Sequence, residues 1–240
     1  MRCFARAPMP QPLSKGKNHN PKERFYEFAY LKSVQARLDA IRTLTRDNRI
    51  PPSKRFNYSI KDIAPGGFVR LDGDVCHVMA GGHYDEWDEK YRKKLGYTSH
   101  EYRLRNLRTG QIILLEWDEE DQVVSASVST KKLKWAELAD EAGEAIDEDD
   151  LEKMDSGDGI KYNGKDFWYD DDWAAKYVPA GKRNGEKAWI YEFEAKDGEM
   201  LTIEEWGGGE KADDYEIWHC LSVDPDTIEV LAASGEKEAS

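Results

Sequence analysis

The stretch EYRLRNLRTGQIILLEWDEED, residues 101–121, has the pattern of a β-hairpin. Two runs in which polar and apolar residues alternate flank a short turn at Arg108-Thr109-Gly110. A similar phrase, AWIYEFEAKDGEMLTIEEWGGGE, returns at residues 188–210. The recurrence indicates that one strand–turn–strand unit is written twice in this chain.

The turn residues of the two phrases keep a nearly constant separation. Asp72-Gly73 and Asn163-Gly164 each stand between two β-rich runs, which is the strongest short signal for a hairpin. Three pairs of turn or anchor residues are 91, 88 and 89 residues apart, namely Gly73 and Gly164, Gly110 and Gly198, and Trp117 and Trp206. We therefore predict a mainly β (α+β) fold with two tandem antiparallel β units. They pack as a pseudo-two-fold pair in which each covers the other's apolar face.

The segments outside these units have their own patterns. Apolar residues recur at helical spacing up to Leu44, after an N-cap at Asn20 and a proline at Pro21, so we predict an amphipathic helix over 21–47. The predicted order is a disordered basic lead-in (1–20), the helix with a linker (21–58), the first β unit (59–136), an acidic linker (137–156), the second β unit (157–233) and a disordered tail (234–240).

The charge is divided unequally along the chain. The net charge is -13, yet residues 1–58 hold 13 basic and 4 acidic residues, while the remainder holds 22 basic and 44 acidic residues. A basic head favours contact with another protein or a polyanionic surface, and Arg37, Arg42 and Arg46 on the polar face of the helix are the expected contact residues. Docking of the same helix on its own β body is the alternative. The acidic body is not expected to bind nucleic acid.

Several protein classes are disfavoured by composition. No apolar run is long enough for a membrane span, and the N-terminal residues lack the apolar region of a secretory signal. Cys3, Cys76 and Cys220 are odd in number and widely spaced, which favours a reducing compartment over a disulfide framework. We expect a cytoplasmic protein without a cofactor.

Two stretches of the first unit, RLDGDVCHV (70–78) and HEYRLRNLRTGQIILLEWDEEDQ (100–122), resemble the bacterial family called domain of unknown function 4178. Residues 101–104 match its E-Y-x-L core, Gly110 matches its turn glycine, and residues 115–117 match the strand that follows. His100 stands where the family usually has Trp. The resemblance implies tandem, divergent copies of an accessory module, often encoded near membrane-stress and polyamine-related proteins, and it implies no catalytic residue.

Two acidic-aromatic segments are the candidate ligand surface: GGHYDEWDEK (81–90) and FWYDDDWAAKY (167–177), both predicted as loops. Aromatic faces beside carboxylates suit cationic or sugar ligands, because both groups attract cations and rings stack on pyranoses. The alternative is that the aromatic residues are core and the acids are solvated. The candidate ligand-binding residues are Tyr84, Asp85, Glu86, Trp87, Glu101, Trp168, Asp171, Asp172 and Trp173.

A metal site is not expected. In Cys76-His77 and His219-Cys220 the two side chains of each pair point to opposite faces of a strand, so each pair offers one ligand to a shared site. The chain has no zinc-type ligand spacing.

The function predicted from the sequence is a non-enzymatic binding or interaction module. Two alternatives stay open: a sensor of polyamine-like cations, and a carboxylate-based hydrolase with Glu86, Glu101 and Asp171 as its acid and base groups.

Overall fold

The computed structural model describes residues 32, 34–40, 42, 49–207 and 215–232, and twelve strands in these ranges form one antiparallel sheet. The strands are β1 (Phe68–Leu71), β2 (Asp74–Trp87), β3 (Lys94–Asn106), β4 (Ile112–Glu120), β5 (Val123–Leu133), β6 (Leu138–Ala139), β7 (Gly159–Tyr162), β8 (Lys165–Pro179), β9 (Glu186–Glu194), β10 (Met200–Trp206), β11 (Tyr215–Ser222) and β12 (Glu229–Ala232). The mainly β prediction is confirmed.

Eight strands close into a barrel in the order β2, β3, β4, β5, β11, β10, β9, β8 and back to β2. Closure depends on the length of β2 and β8. The first residues of β2 pair with β1, whereas its last residues, from Gly82 to Trp87, pair with β8. In the same way β8 pairs first with β7 and then with β2. Each long strand therefore belongs both to the barrel and to a short flap of sheet outside it.

Two tight turns start the two sets of strands. Asp72 and Gly73 have φ angles of 47° and 78°, and Asn163 and Gly164 have φ angles of 50° and 76°. Consecutive positive φ values define the hairpin turn that Asp-Gly and Asn-Gly favour, because glycine pays no steric cost there and Asn and Asp tolerate it best. Both hairpins are predicted correctly by the sequence.

The strand order repeats along the chain. The first set, β1 to β5, is followed by β6, which pairs with β7, the first strand of the second set. The second set, β7 to β11, is followed by β12, which pairs with β1. The sets join edge to edge through β5 with β11 and β2 with β8, so they form one continuous closed sheet rather than two separate sheets stacked face to face.

The main apolar clusters lie on the outer faces of the barrel. The first lies under segments 49–63 and 225–230 and includes Val69, Leu71, Val78, Leu104, Ile113, Leu115, Ile60 and Val230. The second lies under segment 135–154 and includes Ile160, Phe167, Phe193, Leu201, Ile203, Ile146 and Leu151. Residues between or beside the strand sets thus act as covers that keep water from the sheet.

Two loop predictions are wrong, and the two predicted linkers pack against the sheet. Residues 81–87 and 167–177 lie in strands β2 and β8 rather than in loops. The acidic linker 137–156 buries Ile146 and Leu151 in the second core. The linker at 48–58 packs through Ile50 and an ion pair of 2.7 Å between Arg55 Nη1 and Glu229 Oε1. Each of these segments has a few apolar residues among its charged ones. Burial of the apolar side chains outweighs the local polarity, so the segment packs as part of the fold.

The described part of the N-terminal helix, residues 34–40, packs on its own β body. Arg37 donates from Nε to the Leu107 carbonyl at 3.0 Å and from Nη2 to the Arg108 carbonyl at 2.6 Å. Ala40 is buried in a small cluster with Phe68. Arg37 is therefore engaged within the chain, Arg42 pairs with Asp39 at 3.0 Å, and Arg46 lies outside the described residues, as do both predicted ends of the helix and the predicted disordered termini.

No helix within the described ranges is both long enough and apolar enough to cross a membrane.

The seam between β2 and β8 tolerates only glycine at position 82, because a Cβ atom there would lie 2.6 Å from Cζ of Tyr177. We expect Gly82→Ala to lower the free energy of unfolding by about 1–3 kcal/mol through overpacking. The matched control is Gly96→Ala, where a Cβ atom would meet no atom within 4 Å, and we expect a change of roughly 0.5 kcal/mol or less. Urea denaturation measures both values, and equal effects would contradict the packing argument.

Candidate ligand sites

The pairing of β2 with β8 brings the two acidic-aromatic segments side by side. Four predicted ligand residues, Glu86, Trp87, Asp172 and Trp173, together with Trp189, line one open pocket of about 540 Å³, called here the rim pocket. Four of the nine predicted ligand residues therefore lie together, at a pairing of strands that the sequence did not predict.

Two groups of the rim pocket, the Asp172 carboxylate and the Trp87 ring face, already have partners within the protein. Trp189 Nε1 donates to Asp172 Oδ2 at 2.6 Å, and the Tyr169 hydroxyl donates to the other oxygen of the same carboxylate. Lys176 Nζ lies 3.3 Å from the centroid of the Trp87 ring, so a cation of the chain itself occupies that aromatic face. A ligand would have to displace these contacts.

Three other predicted ligand residues lie elsewhere. Asp85 is buried on the outer side of β2, where Lys94 Nζ lies 2.5 Å and the Thr98 hydroxyl 3.1 Å from its Oδ1. Trp168 is exposed, and Asp171 is exposed near the middle of β8. The acidic-aromatic segments are therefore not one continuous ligand surface.

The two remaining predicted residues, Tyr84 and Glu101, face the inside of the barrel. They line a cavity of about 320 Å³, called here the interior cavity, with side chains from seven of the eight barrel strands. Because strand residues alternate between faces, these side chains come from the inward positions of each strand. The lining residues are Ala80, Tyr84, Glu101, Arg103, Ile112, Leu114, Lys132, Tyr177, Glu204, Trp206, Glu216 and Trp218.

Beyond the interior cavity lies a much smaller space of about 10 Å³, called here the inner chamber. It is lined by Glu101, Leu114, Glu116, Ser127, Ser129, Thr202, Glu204, Trp218 and Cys220. Glu101, Leu114, Glu204 and Trp218 belong to both linings, so the two spaces adjoin. The inner chamber has room for about one water-sized group.

Three glutamates converge on these spaces without a basic partner. Within the described ranges, none of Glu101, Glu116 and Glu204 forms an ion pair. Their neighbours are hydroxyls instead. Ser99 Oγ donates to Glu116 Oε1 at 2.7 Å, and the Tyr84 hydroxyl donates to Glu101 Oε2 at 3.5 Å.

Burial of these carboxylates favours their neutral form. Loss of hydration, followed by repulsion from Glu116 and Glu216, raises the pKa of Glu101 to about 7. Burial and repulsion from Glu101 and Glu116 raise the pKa of Glu204 well above its ordinary value, and burial also raises the pKa of Glu116. Burial likewise raises the pKa of Glu192 to about 8. Carboxylates in such a site attract protons or other cations.

Sequence reasoning missed Glu116 and Glu204. Each stands in a strand among apolar residues, where alternation assigns a charged side chain to solvent. A signal was present: the two glutamates are 88 residues apart, the same separation as the turn glycines Gly110 and Gly198. An acid at the same separation as the turn glycines indicates a similar place in the two hairpins.

The arrangement does not assemble the acid and base groups of the hydrolase hypothesis. Glu86 lines the rim pocket, Glu101 lines the interior cavity, and Asp171 is exposed. The convergence of these three residues in one concave pocket, which that hypothesis requires, is not observed.

The closed sheet and its cavities define a mainly β protein with an eight-stranded antiparallel barrel whose interior holds both charged and aromatic side chains. The sequence profile of the family described as Domain of unknown function (DUF4178) matches residues 64–224, about two thirds of the chain, and the chain belongs to this family. The match runs without interruption from before β1 to just after β11, so it includes both strand sets. No curated protein and no solved structure matches the chain.

The raised pKa of Glu101 predicts a specific pH dependence of stability. Because its folded-state pKa of about 7 exceeds its ordinary value of 4.5, the bound proton stabilises the fold below pH 4.5, and that stability is lost as the pH rises through 7. We expect Glu101→Gln to remove this loss, so that from pH 5 to pH 8 the variant gains about 2–3 kcal/mol relative to the parent protein.

Urea denaturation across this pH range measures the difference. Glu120→Gln, at an exposed end of β4, is the matched control and is expected to run parallel to the parent curve. His77 and His100, whose pKa values burial lowers, are common to all three proteins and cancel in the comparison. Parallel curves for Glu101→Gln would contradict the assignment.

Proposed function

We propose that this protein is a non-enzymatic binding module that holds a small cationic ligand inside its barrel. The observation that carries the proposal is the convergence of Glu101, Glu116 and Glu204 on one cavity with no basic partner in the described part of the chain. A buried carboxylate is stable only when it is protonated or paired. A ligand cation is the partner that the chain itself omits.

The walls of the interior cavity support an organic cation rather than a bare ion. Tyr84, Tyr177 and Trp206 form an aromatic cluster, with ring centroids 4.8 Å apart for Tyr84 and Tyr177 and 5.9 Å apart for Tyr177 and Trp206. Aromatic faces bind ammonium groups and also pack against alkyl chains. No three or more His, Cys, Asp or Glu side chains of the described residues are placed to hold a metal ion.

The rim pocket is the weaker candidate. Its Asp172 carboxylate and Trp87 ring already have partners, whereas the glutamates of the interior cavity lack cationic ones. The gain from a new ligand contact is largest where the protein leaves a charge uncompensated.

We further propose that the barrel arose by duplication of one five-stranded unit. The support is the repeated strand order, the paired turns with positive φ at Asp72 and Asn163, and the exchange by which β6 pairs with β7 and β12 pairs with β1. The Glu116 and Glu204 positions are then related by the same repeat, and the cavity lies where the two copies meet.

Isothermal titration calorimetry of the full chain tests the binding function. At pH 7.5 and constant ionic strength we expect heat of binding for primary amines such as butylamine, putrescine and spermidine, and none for sodium or tetramethylammonium. Glu204→Gln should weaken amine binding by about tenfold or more, because it removes a buried charge from the site.

The control is again Glu120→Gln, which should bind as the parent protein does. Circular dichroism of each variant confirms that the sheet is retained, and Glu101→Gln provides a second interior variant if Glu204→Gln does not fold. Absence of binding by every amine, or equal binding by both interior variants and the control, would overturn the proposed function.

A further inference from the structure

We infer that the ligand of the interior cavity is an ω-amino acid, a linear molecule with a primary ammonium group at one end and a carboxylate at the other. This inference rests on the proposed function and specifies the chemistry of the same site. It follows from the order in which acidic, aromatic and basic side chains line the cavity from its floor to its mouth.

The floor selects a single small cationic head. The inner chamber, of about 10 Å³, has room for one group the size of a water molecule, which is also the size of an ammonium group. Glu101, Glu116 and Glu204 supply its negative charge, and Ser129 and Thr202 supply hydroxyl groups. A quaternary ammonium group is too bulky to enter this chamber, whereas a primary ammonium group fits.

The middle of the cavity favours an uncharged alkyl segment of the ligand. Its walls are Tyr84, Tyr177 and Trp206, with Leu114 between the inner chamber and the wider cavity. Trp218 reaches from the inner chamber to the level of Lys132, its register partner on β5. Alkyl groups gain from burial against such surfaces, while a second charge at this level would lose its hydration.

The mouth selects an anionic tail. Arg103 is exposed at the cavity edge and forms no ion pair with any described residue. Lys132 lies at the same edge, where its Nζ is 2.7 Å from Oε1 of Glu216. The side chains that could meet the outer end of a ligand thus carry two positive charges and one negative charge. A diamine would place its second ammonium group against this excess, whereas a carboxylate would meet a guanidinium group that is free to pair.

A buried donor adds to this preference. The indole N–H of Trp218, a residue that lines both spaces, is shielded from solvent and has no acceptor within the described ranges. An unmade buried hydrogen bond carries a free-energy penalty. A ligand with an oxygen atom beside Trp218 would satisfy this donor, and an alkylamine without oxygen would not.

The experiment compares four ligands with the same six-carbon chain: ε-aminocaproate, hexylamine, hexanoate and hexamethylenediamine. Calorimetry with the full chain, at one pH and ionic strength, should rank ε-aminocaproate roughly fivefold to tenfold tighter than hexylamine, because one partly exposed charge pair adds about this much. The diamine should bind no tighter than hexylamine, and hexanoate should not bind.

Arg103→Gln should bring the affinity for ε-aminocaproate down to that for hexylamine, without changing the latter. The matched control is Arg183→Gln, at an exposed position in the turn between β8 and β9, which should leave both affinities unchanged. In a nitrogen–proton correlation spectrum, ε-aminocaproate should shift the Trp218 indole resonance, assigned with Trp218→Phe, and leave that of exposed Trp168 in place.

The outcomes separate the two proposals. Equal affinity for hexylamine and ε-aminocaproate, or an Arg103→Gln variant that binds ε-aminocaproate as the parent does, overturns the ω-amino acid while cation binding stands. Tighter binding of the diamine does the same and indicates a polyamine-like ligand. If none of the amines binds, the proposed function and this inference both fail.

Discussion

A closed sheet that turns carboxylates inward must neutralise them, and this requirement governs the rest of the structure. Glu101, Glu116 and Glu204 share a space with too little water to screen them from one another, and no described basic side chain reaches them. In the protein alone, bound protons neutralise these carboxylates, as their raised pKa values indicate. Burying an ionised carboxylate without a partner costs free energy. In the proposed function a bound cation supplies that partner and removes the cost.

The two largest apolar cores lie outside the barrel, while its interior holds charged side chains beside aromatic ones. In a small barrel, inward positions are commonly filled by apolar side chains. Here the larger apolar clusters are on the outer face, and the chain supplies its own covers from residues 49–63, 135–154 and 225–230. The acidic segment 135–154 is thus a structural part of the protein, and the few apolar residues within each cover anchor it to the sheet.

The sequence predicts the strands and the turns but not the closure of the barrel. Hairpin chemistry at Asp72-Gly73 and Asn163-Gly164 predicts local conformations that depend only on neighbouring residues. The pairing of β2 with β8 is a contact between strands about 90 residues apart, and no local pattern encodes it. Alternation gives the two faces of a strand but not which face is enclosed, so Glu116 and Glu204 were not among the predicted ligand residues. Tyr84 and Glu101 were predicted from the chemistry of their side chains. The places of Glu116 and Glu204 inside the barrel follow only from the strand topology.

The pairing of strands that are far apart in the sequence affects when the sheet can fold during synthesis. Strand β12 completes the edge of β1, and β8 and β11 complete the edges of β2 and β5. While the ribosome is still synthesising the second set, the first set must keep these hydrogen-bonding edges unpaired, a state that invites association with other chains. Stable folding of the sheet therefore awaits the synthesis of β12, the strand that pairs with β1.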